Sequence, residues 1–199
     1  MLFLLTTPLT TPLAATASPA ILIFGDSLSA GHGIALDQSW PALLTKRLED
    51  KRLPYRVVNA SISGETTAGG RARLADTLER ARPSVVVIAL GANDGLRGLP
   101  IAPMRQNLVA MIRAAKTGKS RVLLVGMKLP PNYGPDYARQ FEQTFADVAR
   151  EEHVALLPFL LAPIALDTSA YQADGLHPTA AAQAKLLDHV WTALQALLK

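Results

Sequence analysis

The residues with usable chemistry fall in four short blocks. Gly25-Asp26-Ser27 holds a hydroxyl just behind an apolar run, where it can be presented at the mouth of a sheet. Ser61-Ile62-Ser63-Gly64 ends on a glycine whose backbone N–H is open to an incoming oxyanion. Gly91-Ala92-Asn93-Asp94 offers the side-chain N–H groups of Asn93, the right donors for developing negative charge. In Asp174-Gly175-Leu176-His177 a carboxylate precedes an imidazole by three residues. An imidazole is the natural general base near neutral pH. An aspartate at that spacing can turn back, accept the Nδ1–H and fix the tautomer.

Taken singly, each block also reads as a turn. Gly-Asp-Ser and Asn-Asp-Gly are turn formers, Gly64 suits the backbone before a helix, and His177 stands ahead of the last helix. Together they supply a nucleophile, oxyanion donors, a base and an orienting acid, a full constellation for acyl transfer. That constellation needs a scaffold that brings distant blocks to one edge.

The scaffold is legible as five apolar, β-branched runs at 20–24, 55–59, 84–90, 121–127 and 154–158. Val85-Val86-Val87-Ile88 is continuous rather than alternating, the pattern of a strand buried on both faces. Helical stripes lie between the runs: Leu74, Leu78 and Ala81; Met104, Leu108, Ile112 and Ala115; Tyr137, Phe141, Phe145 and Val148. Leu187, Val190, Leu194 and Leu197 make a terminal stripe, and an earlier helix is expected over 40–51 with Ser39 as its cap and Pro41 in its first turn. This alternation predicts an α/β fold, a flavodoxin-like three-layer α/β/α sandwich around a five-stranded parallel sheet. Such sheets bind ligands beyond the carboxyl ends of their strands, where the strand order reverses. Each chemical block follows a strand.

With 199 residues, 49% hydrophobic and 18% charged, the chain has the balance of one globular domain, expected over 18–199. The net charge of +4 comes from scattered basic pairs, and aromatics are only 6%, so a nucleic-acid partner is not expected. Cysteine is absent, which removes disulfides, thiolate catalysis and cysteine zinc sites. The four histidines are scattered, so neither a metal nor another cofactor is expected. His32, His153 and His189 are set aside from catalysis, and Gly31-His32-Gly33 lacks the remainder of a phosphate loop. Residues 1–17 carry no charge, hold the apolar run Leu2-Phe3-Leu4-Leu5 and end in Ala15-Thr16-Ala17. They are expected to be a signal peptide, shortened at its basic end, which predicts a periplasmic or secreted protein.

The four blocks, in this order and spacing, resemble the SGNH (GDSL) hydrolase superfamily, whose letters fall on Ser27, Gly64, Asn93 and His177. The segments Val58 to Gly64, Asn93 to Gly98 and Lys128 to Gly134 further resemble its bacterial multifunctional thioesterase, lysophospholipase and arylesterase subgroup. One departure is Ala92, where that subgroup usually carries a second glycine. The resemblance implies catalytic Ser27, Asp174 and His177, and an oxyanion hole of the Ser27 and Gly64 amides with the Asn93 side chain. It casts Asp26 and Asp94 as loop-fixing residues. It also implies a mobile loop over 95–100, hinged at Gly95 and Gly98, and a substrate pocket built from Ile62, Gly95, Leu96, Leu99 and Tyr133. The expected partners are a small-molecule or lipid ester and a transient membrane surface, with the protein a monomer. A carbohydrate or acetyl esterase is the nearest alternative. A non-catalytic flavodoxin-like binding module and a lipid carrier stand further off.

Overall fold

The runs near 20–25, 83–89 and 121–125 become central strands because their faces are almost wholly buried, while those at 56–59 and 155–157 form partly exposed edge strands. In the computed structural model, which describes residues 18–198, the strands are β1 (Ala20–Gly25), β2 (Arg56–Asn59), β3 (Pro83–Ala89), β4 (Arg121–Val125) and β5 (Ala155–Leu157). All pair in parallel, in the order β2-β1-β3-β4-β5. The helices are α1 (Ser27–Ala30), α2 (Trp40–Asp50), α3 (Thr67–Ala81), α4 (Ala92–Leu96), α5 (Ile101–Thr117), α6 (Pro135–Glu151) and α7 (Gln183–Leu194). The expected signal segment, residues 1–17 with its Ala15-Thr16-Ala17 end, lies outside the described residues.

Side chains alternate across a strand, so each run feeds two cores. Ile21, Ile23, Val85 and Val87 pack with Trp40 and Leu44 of α2 and Leu187 and Val190 of α7. Leu22, Phe24, Val86 and Ile88 pack with Leu74 of α3, Leu108 of α5 and Phe141 and Phe145 of α6. The result is the expected three-layer sandwich.

Three local expectations are adjusted. Strand β4 stops at Val125, not at 127, because Gly126 turns against the end of β5: its N–H donates to Leu157 O, and a Cβ there would lie 2.3 Å from Pro158 O. Ser39 precedes α2, but its hydroxyl turns back to Leu36 O at 2.7 Å and gives no side-chain cap. The Trp40 N–H is met instead by Gln183 Oε1 at 3.0 Å, a residue at the start of α7. Leu197 lies past the end of α7, in a 3-10 turn.

The strand order reverses beside β1. Its successor β2 lies on one side and β3 on the other, with α2 on one face and α3 on the opposite face. The two connections part there and leave a crevice beyond the carboxyl ends of β1 and β3.

Candidate active site

Ser27 follows β1 directly into that crevice. A Cβ on Gly25 would lie 2.9 Å from Ser29 Oγ and 3.0 Å from Ala89 O, so only glycine lets the chain turn this tightly between two central strands. Asp26 caps the short helix α1, its Oδ1 accepting the Leu28 N–H at 3.0 Å. Ser27 occupies the first helical position, where a backbone N–H has no helical acceptor.

The loop after β2 is fixed on both sides. Asn59 Nδ2 donates to Ser29 O at 2.8 Å, and Ile62 N donates to Gly25 O at 3.0 Å. Gly64 sits at φ +79°, and its carbonyl accepts from Arg97 Nη2 at 2.8 Å. Among the described residues, neither the Ser27 nor the Gly64 amide donates to a protein acceptor. Asn93, in α4, donates from Nδ2 to Glu65 O at 3.0 Å and lies 3.5 Å from Asp26 Oδ2. Its neighbour Asp94 is buried and accepts from Thr67 N at 2.8 Å and Thr67 Oγ1 at 2.6 Å. Those bonds tie α4 to the amino end of α3, where a carboxylate also meets the positive end of the helix dipole.

His177 comes from the connection between β5 and α7, closed by the Gln172 N–H to His177 O bond and a Tyr171–Pro178 bridge. Asp174 Oδ1 accepts the His177 N–H at 3.0 Å and the Leu176 N–H at 2.9 Å, and its Oδ2 lies 2.7 Å from His177 Nδ1. The His177 amide, the His177 ring and the Leu176 amide together hold this carboxyl well below the usual carboxylate range. An ionised Asp174 can only accept, so Nδ1 carries the proton and Nε2 turns its lone pair to Ser27 Oγ at 2.9 Å. Hydroxyl, imidazole and carboxylate thus stand in one hydrogen-bonded series.

Asp26 shows the opposite electrostatics. It is 1% exposed, and burial pushes its carboxyl up to about 6, against the Leu28 N–H and the field of His177. Asp94 adds to the upward push.

Beside Ser27 opens a cavity of about 620 Å³. Its apolar walls include Leu28, Leu96, Met127, Leu129, Phe159 and Leu176. Ser27, Gly64, Asn93 and His177 all border it, as does Ala92, whose methyl stands where the resembled subgroup has hydrogen. Of the expected pocket residues only Leu96 is on this wall. Ile62 lies in a separate groove beside Val58 and Arg73. Gly95 is buried in α4, where a Cβ would meet Phe141 at 2.6 Å and Leu129 at 2.8 Å, so it packs α4 against α6 and lacks the free space of a hinge. Leu99 is exposed on the loop, and Tyr133 holds that loop together with Tyr137: Tyr133 Oη donates to Leu96 O at 3.0 Å and Tyr137 Oη to Leu99 O at 2.7 Å. Gly98 sits at φ +63°, a backbone conformation that favours glycine, with no atom within 4 Å of where a Cβ would stand.

Several wall residues belong to none of the four sequence blocks. Met127 and Leu129 follow β4 as Ser27 follows β1, so the same strand-end rule reaches them. Phe159 follows β5, and its carbonyl accepts from His189 Nε2 at 3.0 Å. His32, which the sequence gives no catalytic role, has its ring centroid 4.4 Å from that of His177, tilted by 40°. No spacing rule in the sequence joins residues so far apart. His153 is exposed at the end of α6, as expected. Among the described residues no three His, Asp or Glu side chains cluster as metal ligands, and no helix is long and apolar enough to cross a membrane.

A doubly wound parallel sheet with this series and free amides at its switch point defines an α/β acyl hydrolase. The chain belongs to the GDSL-like Lipase/Acylhydrolase family, which it matches over residues 23–185. It is 50% identical to the esterase TesA of Pseudomonas aeruginosa over 92% of this chain and 90% of that one. It is 39% identical to the thioesterase 1/protease 1/lysophospholipase L1 of Escherichia coli K12, over 92% and 87%. The crystal structure of the psychrotrophic esterase EstA from Pseudoalteromonas, inhibited by monoethylphosphonate, superposes with a TM-score of 0.86 at 36% identity, covering 90% of this chain and 98% of that one.

Proposed function

We propose that the chain hydrolyses carboxylic esters and thioesters of apolar acyl groups through an acyl-enzyme on Ser27. The observation that carries this reading is the series Ser27 Oγ, His177 Nε2 and Nδ1, Asp174 Oδ2, at 2.9 and 2.7 Å, at the mouth of an apolar cavity. Ser27 Oγ attacks the acyl carbon while His177 Nε2 takes its proton. Asp174 keeps the ring oriented and stabilises the imidazolium. Charge gathering on the carbonyl oxygen meets the Ser27 and Gly64 amides and Asn93 Nδ2. Collapse expels the alcohol or thiol, which takes its proton from His177. Water then attacks the acyl carbon as His177 Nε2 takes its proton, and collapse breaks the Ser27 Oγ–acyl bond, frees the acid and returns that proton from His177 to Ser27 Oγ. The apolar walls favour an acyl chain over a sugar as the bound group.

The substrate range extends from aryl esters to acyl thioesters and lysophospholipids, in line with the names of the relatives. The protein works as a monomeric single domain, exported to the periplasm or secreted, a reading supported by the uncharged segment 1–17 with its small-residue end. The test is Ser27→Ala assayed on graded p-nitrophenyl esters and acyl-CoAs, beside labelling by a serine-reactive phosphonate. Loss of both turnover and labelling, with the fold retained, is expected. Near wild-type turnover would remove Ser27 as nucleophile.

A further inference from the structure

Five large apolar side chains are exposed among the described residues: Leu36, Ile62, Leu99, Leu166 and Leu176. Their placement is one-sided. Leu36 lies between β1 and α2, Ile62 between β2 and α3, Leu99 between β3 and α5, and Leu166 and Leu176 between β5 and α7. In an all-parallel sheet these connections emerge at one edge, the edge that holds Ser27. The connections at the opposite edge carry none. Leu176 is itself a cavity wall residue, and Leu166, 99% exposed, stands between the wall residues Ala165 and Thr168. The Leu36 loop joins the same rim, because Gln172 Nε2 donates to His32 O at 2.8 Å. Exposed apolar groups gathered on one side of a soluble fold mark a surface that meets something apolar.

We propose that this rim docks the enzyme on a zwitterionic lipid surface, with Leu36 and Leu166 inserting beside the cavity mouth so that a lipid acyl ester passes to Ser27 without crossing water. The inference rests on the ester-hydrolase reading above. Charge selects the type of surface. On these connections Asp167 is paired with Lys185, Lys128 with Glu142 and Asp174 with His177, which leaves the exposed Asp37 and Arg97 to offset each other. The rim therefore has little to offer an anionic sheet, although the whole chain carries +4. A fluid interface also suits apolar residues set on separate loops around an opening, since lipid chains fill the gaps between them. A protein partner would need one continuous complementary face.

The test uses Ser27→Ala protein sedimented with phosphatidylcholine vesicles. Binding that rises with lipid and changes little at high salt is expected. Adding Leu36→Gln and Leu166→Gln should lower the partition coefficient by about tenfold or more, because two exposed leucines no longer leave water. In the Ser27 background the double variant should hydrolyse a water-soluble short-chain aryl ester at the parent rate, yet lose rate in parallel with binding on vesicle-borne lysophosphatidylcholine. Failure to sediment, or binding unchanged by the two substitutions, overturns the proposal. Binding that requires anionic lipid and disappears with salt also overturns it, since that places the contact on the scattered basic pairs. Self-association abolished by the substitutions, with no vesicle binding, assigns the rim to a protein contact instead. Sedimentation is read without catalysis, so it is independent of whether Ser27 is the nucleophile.

Discussion

Replacing Asp26 with asparagine should make the protein more stable and slower. Asp26 is buried next to Ser27 in the chain, and burial raises its carboxyl from an ordinary 3.8 to about 6. The folded state therefore holds this proton more tightly than the unfolded chain does. The stabilisation that follows is fully present below 3.8 and is lost as pH rises through about 6. Above that the folded protein buries a charge at a cost of about 3 kcal/mol, set by the interval between the two values. Asparagine removes the charge and keeps an oxygen for the Leu28 N–H, but it turns an N–H₂ toward Asn93 Nδ2, now 3.5 Å from the carboxylate. An unsatisfied donor costs about 1 kcal/mol, which leaves a net gain of about 2 kcal/mol at about pH 7.5. For a chain of this length that is a rise in melting temperature of about 4–8 °C. The gap between variant and parent should narrow by about 1.4 kcal/mol on going from about pH 7.5 to about pH 5, as the parent takes up its proton. Turnover should fall, because the negative charge that interacts with His177 is gone and the imidazolium formed during catalysis loses support. Differential scanning calorimetry across that pH range and steady-state kinetics on a p-nitrophenyl ester are sufficient. A variant that is destabilised at neutral pH, or a gap that does not close on acidification, would refute the assignment of Asp26 as a buried, destabilising charge.

Asn93→Ala should lower kcat about a hundredfold or more with little change in KM, because its N–H acts on charge that appears only in the transition state; an effect confined to KM in steady-state assays would speak against that role. Gly95→Ala should destabilise the fold by about 1–3 kcal/mol in urea unfolding, because the new methyl meets Phe141 at 2.6 Å and Leu129 at 2.8 Å; it should also raise KM by displacing the Leu129 wall. The double change Tyr133→Phe and Tyr137→Phe should speed amide exchange in residues 95–100 and shift acyl-chain preference, since two hydroxyls no longer hold Leu96 O and Leu99 O. Unchanged exchange there would show that the loop is held by packing alone.

Much of this was legible in the chain itself. Continuous runs such as Val85 to Ile88 can only be buried on both faces, so they declare a parallel sheet, and that sheet declares where loops bearing chemistry must meet. The Asp174 and His177 pair was readable because its bonds are local, three residues apart. The wall of the cavity beside Ser27 was not, beyond Leu96. It comes from residues after β4 and β5 whose apolar character is indistinguishable, in one dimension, from ordinary core. Gly95 and Tyr133 looked like pocket residues by neighbourhood but serve to hold the loop, a distinction made by which side of α4 each one touches.

The sequence alone determined which chemical groups stand in the four blocks and the sheet that carries them, because residue type and periodicity are local properties read directly from neighbours. Only the tertiary structure decided which groups touch. The 2.9 Å approach of Ser27 to His177, the tilted contact of the His32 ring with that imidazole, the capping of α2 by Gln183 and the burial that raises Asp26 all join residues far apart in the chain or depend on everything packed around one. Such distances are set by how layers close over one another, and no local pattern encodes that closure.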